Sequence, residues 1–261
     1  MARRASEPER TTWRGLPAWR LAGDRLWAVF CPERGAKITS LFDARTGREW
    51  LVPAPLRPLR ALTYGSTWSA YEMCGWDEVF PTLQDCAYPG PGRNEGRRLP
   101  DHGEVWCMSW ADDGPGGATV VGAALPYRLT RSATVADDRL VLDYALTNDG
   151  DDAMPFLWAA HPLISLTAGC DVVVGPGSAA VVDPGRSWLR LSWDQAHVPF
   201  FSVADADALL NPSSNVAPMP STGGLPSLAA AAQSGRVRVA PAGTTVRWRL
   251  TATVGDAPLP P

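Results

Sequence analysis

Residues 140–147 place the tightest constraint on the fold. Leu140, Leu142, Tyr144 and Leu146 alternate with Val141, Asp143, Ala145 and Thr147, the two-residue period of a strand with one buried face. Asp137-Asp138 before it and Asn148-Asp149-Gly150 after it are turn-forming. The period returns near the end, where Val246, Trp248, Leu250 and Ala252 alternate with Arg247, Arg249 and Thr251. Pro241-Ala242-Gly243 is expected to turn that strand back on residues 236–239. Further strands are expected over residues 35–43, 179–182 and 188–191, with a hairpin turn at Gly23-Asp24. Only residues 225–233 carry a helical pattern, and no repeat or linker divides the chain. A single all-β domain over residues 13–255, built mostly of antiparallel strands, follows. Residues 1–12 are expected to form a disordered polar tail and residues 256–261 a frayed one.

The net charge of −3, mixed in sign and without a long basic run, argues against nucleic acid or an anionic membrane as partner. Residues 1–10 are charged and lack an apolar core, so no secretory signal is expected there. No run of about 18 apolar residues suggests a membrane span, and a cytoplasmic location is the expectation. Cys31, Cys74, Cys86, Cys107 and Cys170 are widely spaced with no Cys-x-x-Cys pair. They read as reduced thiols. Three dispersed histidines give no metal-ligand spacing, and no cofactor is expected. A small molecule is the expected partner, and the sequence leaves the oligomeric state open.

Residues 71–106 gather side chains that move protons and rings that could wall a pocket. Glu72, Asp77, Glu78, His102 and Glu104 stand among Tyr71, Trp76, Phe80 and Trp106, punctuated by Gly and Pro. His161 follows later, within Phe156-Leu157-Trp158-Ala159-Ala160-His161-Pro162. Acids, a base and aromatic walls together suit a polar ring with apolar faces, which describes a sugar. Asp77 and Glu78 are adjacent, so on a strand they point to opposite faces and at most one enters a pocket. Trp76, Trp106 and Trp158 could stack on a ring, and each could equally be core. His161 could equally be a core histidine, and His197 reads as surface. Arg93, Arg97 and Arg98 sit in a Gly/Pro loop, either solvated or facing an anionic substituent.

These residues resemble the aldose 1-epimerase, or galactose mutarotase-like, family across most of the chain. Gly35-Ala36-Lys37-Ile38-Thr39-Ser40-Leu41 with Thr46-Gly47-Arg48-Glu49 is similar to its early strand pair. Gly75-Trp76-Asp77-Glu78-Val79-Phe80-Pro81 resembles the Gly-x-Asp-x-x-Phe-Pro signature of one branch. Leu99-Pro100-Asp101-His102-Gly103 resembles the His-Gly element, and Asn148 with Pro155-Phe156-Leu157-Trp158 and His161-Pro162 the segment of the second histidine. Ala240-Pro241-Ala242-Gly243-Thr244 with Trp248 is similar to the closing hairpin. The resemblance implies a β-sandwich that holds a sugar in a cleft on one sheet. It implies that His161 protonates the ring oxygen while His102 hydrogen-bonds nearby, and that a C-terminal Glu takes the anomeric proton. Trp76, Asp77, Glu78, Glu104 and Trp158 are the candidate substrate contacts.

The chain departs from the family at that Glu. Met219-Pro220-Ser221-Thr222-Gly223 occupies the Glu-Pro, Thr-Gly pattern, and no Asp or Glu lies between Asp207 and Gly255. Three readings follow: an epimerase with a base relocated to Glu78, Asp77, Glu104 or Glu72; a sugar-binding protein without catalysis; or an isomerase or cyclase of altered chemistry on the same scaffold.

Overall fold

A computed structural model describes residues 7–55, 58–205 and 214–260. The alternating segments form the strands Arg139–Asn148 and Thr245–Asp256, paired antiparallel with Tyr144 opposite Trp248. Tyr127–Ala136, Ala118–Val121 and Ala111–Asp112 extend the sheet on one side. Ser187–Trp193, Ser178–Asp183 and Asp171–Gly175 extend it on the other, giving eight strands.

A second, ten-stranded sheet carries the candidate site. Its order runs from Glu9–Trp13 through Leu16–Ala22, Leu26–Cys31 and Lys37–Asp43 to Trp76–Val79, Ala159–Pro162 and Asn215–Ser221. Phe200–Asp205 pairs along Asn215–Ser221. The two sheets pack face to face over a mostly apolar core. Tyr144 stacks on Trp248 at 5.3 Å, and Trp158 of the opposite sheet closes to 4.7 Å from Tyr144. Such ring pairs add about 0.5–1.5 kcal/mol each beyond the area they bury.

A fully buried ionic contact bridges the layers. Arg131 of the eight-stranded sheet donates from its guanidinium to Glu78 Oε1 at 2.8 Å and also to the Ala36 carbonyl. Tyr144 Oη donates to the same carboxylate oxygen at 2.9 Å, and Trp158 Nε1 to Oε2 at 2.9 Å. Both charged groups are buried, so the pair is stable only because these donors satisfy the carboxylate.

Several expectations are corrected. Residues 9–12 belong to a paired strand, so the tail over residues 1–12 is shorter than expected, and residues 1–6 lie outside the described residues. Residues 256–260 are held rather than frayed. Trp188 Nε1 donates to the Asp256 carbonyl at 2.9 Å, and Arg190 to that of Pro260. The strand Arg238–Ala240 pairs with Met154–Phe156 and not with Thr245–Asp256, which has Arg139–Asn148 and Ser187–Trp193 on its two edges. The expected helix is Leu228–Gln233, with Ser227 Oγ capping the Ala230 N–H. Among the described residues no helix is long and apolar enough to cross a membrane.

Arg131→Met leaves the buried Glu78 without its cation. It is expected to destabilise the fold by about 3–5 kcal/mol in urea unfolding. A loss under about 1 kcal/mol, the value of a surface pair, would contradict this role.

Candidate active site

The strand Trp76–Val79 divides its side chains between two environments. Trp76 and Glu78 enter the inter-sheet core, and both are fully buried. Asp77 faces the other way. It is the direct cross-strand partner of His161, on the neighbouring strand Ala159–Pro162. Direct antiparallel partners hold their Cβ atoms about 4.5–5.5 Å apart on one face. Continuing these registers gives a row across this face. Ile38 pairs with Trp76, which sets Lys37 beside Asp77. Ala159 pairs with Ser221, which sets His161 level with Met219, and Met219 pairs with Ser202. His161 therefore stands between an acidic neighbour and an apolar one.

The acidic neighbour is already engaged. Lys37 Nζ lies 2.6 Å from Asp77 Oδ1 and donates to the Cys74 carbonyl at 2.8 Å. Trp68 Nε1 donates to Asp77 Oδ2 at 2.9 Å. Burial opposes the Lys37 charge, but Asp77 and its acidic neighbours outweigh it and hold the ammonium above its ordinary pKa. The pair is thus a fixed ionic base to the site.

His102 arrives from a tight turn. His102 and Gly103 are both left-handed, at φ 58° and 70°. A Cβ on Gly103 would sit 2.0 Å from the Phe80 carbonyl oxygen, so only glycine fits there. His102 N–H donates to the Leu83 carbonyl at 2.7 Å and Glu104 N–H to that of Phe80 at 2.8 Å, which seats the turn against the sheet. His102 Nδ1 lies 3.0 Å from Asp101 Oδ1. His102 and its charge lower the Asp101 pKa against the opposing effect of burial.

The two imidazoles meet edge to face at 5.2 Å between centroids. Trp68 joins them, stacked on His102 at 4.6 Å and edge-on to His161 at 4.8 Å. Its backbone N–H donates to Asp101 Oδ2 at 3.2 Å. A cleft of about 760 Å³, lined by Tyr64, Trp68, Arg98, Asp101 and His102, opens on the Trp68–His102 side of this cluster, and His161 lies behind those two rings rather than in its wall. A smaller cavity of about 260 Å³ lies on the Met219 side, and Leu83, which anchors His102, forms part of its wall.

His161 is 5% exposed and its Nδ1 has no hydrogen-bond partner. Burial, then the nearby His102 and Lys37 charges, push its pKa well below the ordinary histidine value, and Asp101 only partly opposes them. The ring is neutral at pH 7, with one nitrogen able to donate and the other to accept.

The structure brings together His102, His161 and Asp77 of the candidates and sets the others apart. Trp76, Glu78 and Trp158 lie in the core, where Glu78 bridges the sheets. Glu104 is also buried and accepts from Ala123 N–H, Ala124 N–H and Tyr127 Oη at 2.7–3.1 Å, which fixes a loop. Glu72 is paired with Arg34 at 2.6 Å. None of these carboxylates faces the cleft, so a base relocated to Glu78, Glu104 or Glu72 is excluded by their burial against other partners. Arg97 donates to the Ala124 carbonyl at 2.6 Å, and Arg98 alone of the loop arginines lines the cleft. His197 is exposed beside Asp194. Sequence reasoning missed Lys37, Trp68 and Asp101. Asp101 adjoins His102 and could have been suspected, whereas Trp68 lies in an irregular Pro- and Gly-rich stretch with no periodic signal.

This architecture is the galactose mutarotase-like β-sandwich. The chain is similar in fold to a galactose mutarotase-like protein of Clostridium acetobutylicum, with TM-score 0.68 and 10% identity over 97% of this chain and 99% of that one. A galactose mutarotase-like protein of Lactobacillus casei gives TM-score 0.67 and 15% identity over 91% and 100%. A candidate aldose 1-epimerase of Klebsiella pneumoniae gives 0.71 and 13% over 92% and 79%. In sequence the chain matches no protein-family profile and no curated protein.

The direction of the His161 shift fixes a pH dependence. Below about pH 6.5 the unfolded chain binds a proton at His161 that the native site refuses, so this residue's contribution to stability is lost as pH falls. His161→Gln is expected to flatten that acid limb of the stability curve. In imidazole NMR of the native protein, His161 is expected to stay neutral where an ordinary histidine titrates. Titration at or above 6.5 would contradict the arrangement.

Proposed function

We propose that the protein is a carbohydrate isomerase of aldose 1-epimerase type, acting on a free sugar at the His102–His161 pair. The observation that carries this reading is the pair itself: two imidazoles in edge contact, one of them backed by a carboxylate and lining a cleft large enough for a small ligand. The mutarotase-like fold of the neighbours supports the same class. Anomer exchange needs proton gain at the ring oxygen and proton loss at the anomeric hydroxyl, close together and nearly at once.

The environments favour a division of labour. Asp101 beside His102 balances a positive imidazolium, which suits His102 to donate to the ring oxygen. His161 takes the opposite role: its unpartnered nitrogen accepts the anomeric proton as His102 gives up its own, which removes one of the charges that hold the His161 pKa down. This assignment removes the need for a carboxylate at Met219. It reverses the roles that the family resemblance implies, where His161 is the acid. Asp77 acts through position: paired with Lys37 and Trp68, it is not a free base. For a pyranose to touch both rings, the Trp68 indole, which packs against both, must move aside.

The test is NMR exchange spectroscopy of neutral and acidic aldoses with wild-type protein, His102→Ala and His161→Ala. Exchange above the buffer rate is expected in at least one sugar, with each variant lowering it by about 10²–10⁴-fold. Sugar binding without exchange would replace this reading by that of a carbohydrate-binding protein. Neither binding nor exchange would turn attention to altered chemistry on a different polar ring.

A further inference from the structure

The 260 Å³ cavity beside Met219 has a composition of its own. Leu83, Leu157, Phe200, Phe201, Met219 and Pro226 are among its walls, and Arg236 is the one charged residue lining it. Its volume is below the about 300–1,000 Å³ of a whole-ligand site. It fits one substituent of a larger molecule. The main cleft, at about 760 Å³, has room for the rest.

Arg236 is held in place without an acidic partner among the described residues. Its guanidinium lies over the Phe200 ring at 5.3 Å. Gly224 makes the space, since a Cβ there would lie 2.6 Å from Arg236 Nε and 3.0 Å from Cζ. The Gly224 N–H donates to the Arg236 carbonyl at 2.8 Å, which ties the two segments together. Arg238, two residues further on, is spent elsewhere: it donates to the His197 carbonyl at 2.8 Å. A slot walled by Leu, Phe, Met and Pro side chains together with Ser202 and Ser221, and ending in a guanidinium without an acidic partner among the described residues, suits a small, mostly apolar body that carries an anion, because the planar fork matches carboxylate and phosphate oxygens.

We infer that this cavity is a binding subsite for an apolar substituent bearing a carboxylate or a phosphate, recognised by Arg236 and packed on Phe200 and Met219. Its orientation, with the polar ring at the histidines and the anion at Arg236, rests on the epimerase reading. The anion site itself does not. Met219 then has a positive role as the apolar contact between the reacting ring and the substituent.

Isothermal titration calorimetry with benzoate, phenyl phosphate and neutral benzamide tests the subsite directly. At least one anion is expected to bind about tenfold or more tightly than benzamide, as a charge-assisted contact requires. Arg236→Gln is expected to abolish that preference, and Gly224→Val, which crowds the guanidinium, to weaken it. The exposed Arg236 side chain makes a folded variant the expectation, checked by its thermal midpoint. Equal binding of benzamide and the anions, or unchanged anion affinity in Arg236→Gln, would overturn the subsite. Anion binding with no anomer exchange in any aldose would defeat the epimerase reading while leaving the subsite standing. Exchange without anion binding would defeat the subsite alone.

Discussion

Two adjacent carboxylates on one short strand organise this molecule. Because strand side chains alternate, Glu78 is sent into the core and Asp77 to the opposite face. Glu78 meets Arg131, Tyr144 and Trp158, and so fastens the ten-stranded sheet to the eight-stranded one. Asp77 meets Lys37 and Trp68, and so fixes the floor on which His161 stands. A one-residue slip of this strand would exchange the two environments, leaving Glu78 outside and a carboxylate too short for Arg131 inside. Fold and site depend on the same register.

The site's electrostatics follow from that placement. The Lys37–Asp77 pair brings a buried cation close to His161, and burial already disfavours charge there. Asp101 is set instead beside His102, in a turn that Gly103 alone can make under the Phe80 carbonyl. Two chemically identical side chains thereby stand in different surroundings. Met219 completes the asymmetry, because on its side of the row the register sets a thioether rather than a charge beside His161.

Much of the fold was legible in the sequence because burial on one face imposes a two-residue period. Residues 140–147 and 246–252 display it, and both lie in the strands they predict. The short helix and the turn at Gly23-Asp24 were legible for similar local reasons. The partner of Arg238–Ala240 was not, since strand pairing across long separations depends on packing that no local pattern encodes. The histidines could be singled out, but the acids could not be sorted. Glu78 and Glu104 look as reactive in sequence as Asp101, and only their buried partners show that they hold structure. Trp158 and Trp76 were misassigned for the same reason: an indole in an apolar run fits a core and a sugar platform equally well. The missing C-terminal carboxylate was visible at Met219, and its physical meaning came only with the cavity beside it.

The most direct test of the proposed site is a crystal structure of the protein soaked with D-galactose. The account predicts a pyranose within about 2.6–3.2 Å of both imidazoles, the reach that proton transfer requires, with the Trp68 indole moved off their faces. Galactose bound elsewhere, or Trp68 still wedged against His102 and His161 with sugar present, would contradict the assignment of this histidine pair as the reacting centre.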